Sequence, residues 1–78
     1  MVDPSLAARA LQVGQSPLSV RERDILVACA DGLSTAEIAN RHWLSEGTVR
    51  NRVSEILGKL GARNRVEAVQ IARENGWI

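Results

Sequence analysis

Aromatic side chains are almost absent from this 78-residue chain, which holds two tryptophans and neither tyrosine nor phenylalanine. Proteins that hold single-stranded nucleic acid stack bases on aromatic platforms, and Trp43 and Trp77 alone cannot build one. Cysteine is nearly as scarce. With Cys29 the single cysteine, neither an internal disulfide nor a cysteine-rich metal site can form. Its apolar helical setting reads as a small buried hydrophobe rather than a reactive thiol. His42 is the single histidine, and no carboxylates are arranged to complete a metal site around it. No metal and no cofactor are expected. No apolar run approaches the ~20 residues that cross a bilayer, and the N-terminus lacks the basic-then-apolar layout of a signal peptide, so the cytoplasm is the default compartment. Catalytic apparatus is missing too: no serine or cysteine has a histidine partner beyond His42, no glycine-rich loop fits a phosphate, and no carboxylate pair marks a cleft. A non-enzymatic role without a small-molecule substrate is expected.

What the chain does have is 45% apolar residues, enough for one small core but not for a core plus a separate catalytic cleft. Its net charge of +1 is unevenly spread. Residues 41 to 65 hold Arg41, Arg50, Arg52, Lys59, Arg63 and Arg65 against Glu46 and Glu55, while the remainder is mildly acidic. A basic segment in an otherwise acidic domain is the electrostatic footprint of a phosphate-facing surface, although a solvated charged face would show the same excess.

No run alternates apolar and polar residues with strand chemistry, and helix start signals recur, so the fold class is all-α. Asp3-Pro4 opens a weak amphipathic helix through Leu6, Ala7, Ala10 and Leu11 that stops near Gly14. Ser19-Val-Arg-Glu22 is a capping box opening a helix of about 20 to 31, with Ile25, Leu26, Cys29 and Ala30 on one face and Gly32 free to take a left-handed cap. Ser34-Thr-Ala-Glu37 is a second capping box, opening a short helix near 35 to 41 with Ala36, Ile38 and Ala39 as its inward residues. His42-Trp43-Leu44 connects it to a helix over 46 to 60, N-capped by Ser45 and closed by Gly61. That connector length is the helix-turn-helix spacing. Asn64-Arg-Val-Glu67 opens a last helix, with Ala68, Val69, Ile71 and Ala72 inward, that ends at Gly76.

The helix over 46 to 60 has the clearest periodicity, with Val49, Val53, Ile56, Leu57 and Leu60 on one stripe. Its opposite face centres on small polar residues, Asn51 and Ser54, with Arg50 beside them, where a structural surface helix presents long charged pairs. Asn can engage adenine bidentately, Arg can engage guanine, and Ser can donate or accept, all within a major groove that admits one helix. Arg50, Asn51 and Ser54 are therefore the candidate base readers. Thr48, Arg52 and Lys59 flank this face where phosphates would run, and the free N–H groups at the starts of the second and third helices favour anions. Glu55 is the discordant member, a carboxylate that must accept from a cytosine amino group or swing aside.

The runs Pro17-Leu-Ser-Val-Arg-Glu-Arg-Asp-Ile-Leu26, Gly32-Leu-Ser-Thr-Ala-Glu-Ile-Ala39, Leu44-Ser-Glu-Gly-Thr-Val-Arg50 and Leu57-Gly-Lys-Leu-Gly-Ala62 resemble, in order, the C-terminal effector domain of LuxR/NarL/FixJ-type bacterial transcription regulators. The resemblance covers roughly residues 16 to 78 and implies a four-helix (tetrahelical) helix-turn-helix domain that binds specific duplex DNA for transcription regulation. It further implies dimerisation through the last helix, at Val66, Gln70 and Arg73, and placement of each third helix in the major groove of a repeated half-site. Ser34, Thr35, Ser45, Thr48, Arg52 and Lys59 fall where such proteins hold phosphates. Residues 1 to 15 resemble the linker helix that joins a phosphorylatable receiver domain to this effector in two-component response regulators. Implied partners are duplex DNA, a second copy of the chain and RNA polymerase.

His42 departs from the resemblance, standing where an apolar residue usually closes the turn. Capping by a backbone carbonyl or partial exposure beside Trp43 are its plain readings, a metal or pH role the sharper one. Trp43 reads as a core plug or turn cover rather than a base wedge, since wedges belong to minor-groove binders. A helical protein-interaction module, or a promoter-contacting module like the fourth region of a sigma factor, is the rival reading. Steep salt dependence separates DNA binding from an apolar protein interface.

Overall fold

The computed structural model describes residues 16–78, and the linker helix expected over residues 1 to 15 lies outside them. Four helices follow: α1 (Val20–Ala30), α2 (Thr35–His42), α3 (Glu46–Leu60) and α4 (Arg65–Glu74). Each begins where the sequence supplies an oxygen for an orphan N–H. The Ser19 hydroxyl accepts from the Glu22 N–H at 3.1 Å while the Glu22 carboxylate accepts from the Ser19 N–H at 2.8 Å, and the Ser34–Glu37 pair repeats this reciprocal arrangement. Ser45 and Asn64 cap α3 and α4 through the N–H groups of Thr48 and Glu67. α3 ends on Gly61 with φ +64°, a left-handed cap that turns the chain sharply toward α4. α4 stops at Glu74 with Asn75 as its cap, just short of the expected end at Gly76.

The core forms where these helices cross: Ile25, Leu26 and Ala28 from α1, Ile38 and Ala39 from α2, Val49, Val53 and Ile56 from α3, and Ala68 and Ala72 from α4. The stripe expected on α3 is the one buried, with Leu57 and Leu60 at its margin. Small residues on α4 let it lie close against α1 and α3. Arg23 on α1 closes the far end by donating from Nε to the Trp77 carbonyl at 3.0 Å. None of the described helices is long and apolar enough to cross a membrane.

Several packing expectations change. Ala36 is exposed, because two residues advance a helix by about 200° and Ala36 cannot share a face with the buried Ile38. On α1, Ala28 belongs to the core while Cys29 and Ala30 are only half-buried at its edge. Trp43 is neither plug nor cover. It caps α2 in the left-handed conformation, φ +58°, with 94% of its surface exposed. His42 is the last residue of α2 rather than part of the connector; it is half-buried, and its Nε2 atom is buried with no hydrogen-bond partner.

Candidate nucleic-acid interface

α3 shows its buried stripe to the other helices and its polar stripe to solvent. Arg50, Asn51 and Ser54 all lie exposed on that outer face, and no ion pair or side-chain hydrogen bond among the described residues engages them. Their donors and acceptors are available in full. Arg52 lies beside them, its guanidinium 3.7 Å from the Glu55 carboxylate, an exposed pair one turn apart. The geometry answers the difficulty raised by Glu55: its charge is drawn sideways toward Arg52 and partly neutralised there.

The other uncharged polar candidates sit at helix N-termini, the proposed rim of this face. The Ser45 hydroxyl accepts from the Thr48 N–H at 3.1 Å and donates to Thr48 Oγ1 at 2.8 Å, which leaves the Thr48 hydroxyl proton free to point outward. Capping of this kind satisfies the third N–H of α3, while those of Glu46 and Gly47 keep no helical partner. Ser34 caps α2 in the same way, and the hydrogen bond from its backbone N–H, helped by its hydroxyl, lowers the Glu37 carboxyl from its ordinary value. Thr35, the first residue of α2, receives a 2.6 Å hydrogen bond from the Arg65 guanidinium at the start of α4. That bond spans thirty positions and brings a further cation to the rim. Sequence reasoning placed Arg65 in the basic segment but assigned it no contact, since nothing in local spacing brings the start of α4 to the start of α2.

Lys59 does not share the setting of the other phosphate candidates. Its ammonium lies 2.7 Å from Oε1 of Glu22, a carboxylate only 3% exposed. Burial pushes the Glu22 carboxyl upward, but hydrogen bonds from Lys59 and Ser19, with the Lys59 charge, outweigh it and hold the group below its ordinary value. Lys59 thus joins α3 to α1. The capping box had explained Glu22 entirely in the sequence, which hid its second role.

A separate surface follows the outer side of α4. Val66 is 78% exposed, and Gln70 and Arg73 lie one and two turns further along. All three line a groove of about 510 Å³ between α4 and the C-terminal end of α1, whose lining also includes Cys29, Leu33 and Val69. Burial pushes the Cys29 thiol upward, with the Arg65 charge pulling it back in part, so the sulfur in this lining is a protonated, apolar contact.

A family model described as bacterial regulatory proteins, luxR family, matches residues 16–72. The uncharacterized transcriptional regulatory protein YvfU of Bacillus subtilis is 53% identical over 64 residues, covering 82% of this chain and 32% of that protein. The response regulator RamR of Streptomyces coelicolor is 42% identical over 76 residues, covering 97% of this chain and 38% of that one. Among solved structures, the response regulator ChrA of a heme-sensing two-component system superimposes with a TM-score of 0.76 at 34% identity, over 100% of this chain and 40% of ChrA. The chain spans roughly a third of the length of the curated relatives it matches.

Proposed function

The chain belongs to the luxR family of bacterial regulatory proteins and carries its helix-turn-helix DNA-binding domain, and from that premise we propose a division of labour among its residues and a role for the whole regulator. α3 enters the major groove, where Arg50, Asn51 and Ser54 read base edges. The observation that carries this reading is their shared exposure on one face without any internal partner, beside a buried stripe that fixes the helix. Ser45 and Thr48 at the start of α3, Ser34 and Thr35 at the start of α2, and Arg52 on the flank hold phosphates and set the register. Lys59 is reassigned to the α1–α3 tie, with its remaining donors secondary to that pair.

At the scale of the whole regulator, the domain is the output end of a two-component response regulator, with residues 1 to 15 as the linker to a receiver domain. The identity with RamR, a response regulator, supports this over nearly the full chain. Val66, Gln70 and Arg73 form the contact between two copies on repeated half-sites, and RNA polymerase is the further partner in a cytoplasmic setting. Selection of the chain on a pool of random duplexes at two salt concentrations tests the DNA reading. Enrichment of a repeated half-site, with affinity falling steeply as salt rises, is the expected result. Salt-indifferent binding without enrichment would favour a protein-interaction module.

A further inference from the structure

We propose that Trp43 is a rim contact of the DNA interface, its indole packing on deoxyribose and its Nε1–H donating to a phosphate at the edge of the groove that α3 enters. Trp43 is the one non-glycine residue with positive φ among those described; Gly32, Gly61 and Gly76 fill the other such positions. An L-residue there bears conformational strain, and a tryptophan bears in addition the exposure of a large apolar ring to water. The backbone strain is offset by the cap made at the end of α2, but the exposure of the ring is not recovered within the described residues, since Trp43 is 94% exposed.

The ring's attachment is nonetheless firm. The Trp43 N–H caps α2 on the Ala39 carbonyl, and the Leu44 N–H bonds the same oxygen at 2.9 Å. Leu44 then packs against the core, so the turn is anchored on both sides of the tryptophan. On a turn whose backbone is anchored, docking the ring costs only the ordering of its two side-chain torsions.

Position and charge select the partner. Two residues beyond Trp43 stands Ser45, the N-cap of α3, so the ring borders the helix end that leads into the groove. Exposed Arg41 precedes it in the last turn of α2, and the uncapped N–H groups of α3 follow. An aromatic body with one N–H donor, set between the exposed Arg41 and the N-terminal end of α3, is complementary to a sugar–phosphate edge, with the exposed Glu46 carboxylate at that end the opposing charge. It adds no base readout, in keeping with the sequence-independent nature of backbone contacts.

This inference rests on the DNA reading, and the two fail separately. The chain is labelled with 5-fluorotryptophan and its two fluorine resonances assigned through Trp43→Phe. On saturation with a duplex taken from the selection above, the Trp43 resonance shifts and loses its solvent-isotope sensitivity while that of Trp77 stays put. Trp43→Gly raises the melting temperature by relieving the left-handed strain, yet weakens selected and random duplexes alike by about tenfold, the worth of one hydrogen bond to a charged acceptor. A saturated complex in which Trp43 keeps full solvent sensitivity, with undiminished affinity of the glycine variant, overturns the rim contact and leaves the DNA reading standing. Retained affinity with lost transcription activation by the regulator also overturns it, in favour of a protein surface. A chain that selects no duplex removes both.

Discussion

Arg50 and Arg52 stand two positions apart on α3 and carry the same charge, yet their surroundings differ, and the roles proposed for them differ accordingly. Among the described residues Arg50 has no ion pair, whereas Arg52 is drawn toward Glu55 at 3.7 Å along the flank. A guanidinium free of partners can meet a guanine edge with its planar fork, and Asn51 beside it offers the donor–acceptor pair that adenine requires. Arg50→Ala and Asn51→Ala are each expected to cost about 1–3 kcal/mol at the selected site and to relax preference at a single base position. Competition against duplexes varied one base pair at a time measures both effects. A uniform loss across every sequence would make these residues phosphate contacts. Arg52→Ala, by contrast, is expected to weaken all duplexes evenly, since its removal takes away charge without taking away readout.

At the scale of elements, α3 functions only if it is held rigidly, and the Glu22–Lys59 pair is the polar part of that hold. Removing Lys59 leaves a carboxylate that is 3% exposed facing one fewer donor, with its second oxygen already unpartnered. A fully buried pair broken this way costs about 3–5 kcal/mol, but the Lys59 side chain is 43% exposed and water softens the loss, so Lys59→Met should destabilise by about 1–3 kcal/mol near neutral pH. Because the folded-state Glu22 carboxyl is held below its ordinary value of 4.5, the stability it contributes is complete above that value and is lost as pH falls through the lowered one. The gap between parent and Lys59→Met in chemical denaturation is therefore expected to narrow as pH drops from 7 toward 3. A gap independent of pH would mean that the lysine acts through its packed methylene stem. The helices themselves were legible beforehand because their signals are local: Ser19, Ser34, Ser45 and Asn64 start helices by reaching three residues ahead. The exposed polar face of α3 was legible for the same reason, as a periodicity within one helix. Glu22–Lys59 and Arg65–Thr35 were not, since they join positions thirty or more apart that only the packed fold brings together. Trp43 was misread because apolar character argues for burial, while its exposure depends on the direction a left-handed cap gives the side chain.

For the molecule as a whole, one recognition helix is a small reader. A single α3 covers a few base pairs, and specificity against a genome of competing sites calls for two copies on one piece of DNA. The exposed Val66, with Gln70 and Arg73 behind it, offers three side chains for the proposed contact, against the roughly 20–30 residues a side of a stable interface. On a duplex with two half-sites that limit disappears, since the DNA brings the second copy to a high effective concentration and a weak contact then suffices. If two copies meet at Val66 as proposed, Val66→Asp buries a charge there and is expected to lower affinity for a two-half-site duplex by about tenfold, the worth of one exposed valine turned inward. In the proposed arrangement, binding to an isolated half-site should be unchanged, because at the start of α4 it is Arg65, not Val66, that reaches Thr35 on the DNA side. Inserting half a helical turn between the half-sites should reproduce the loss in the parent chain by rotating the two copies to opposite faces of the duplex. Mobility-shift titrations on the three duplexes read all of this together. If Val66→Asp weakened the isolated half-site equally, the α4 patch would belong to the DNA contact or to the stability of the fold, and the pairing of two copies would have to be sought on another surface.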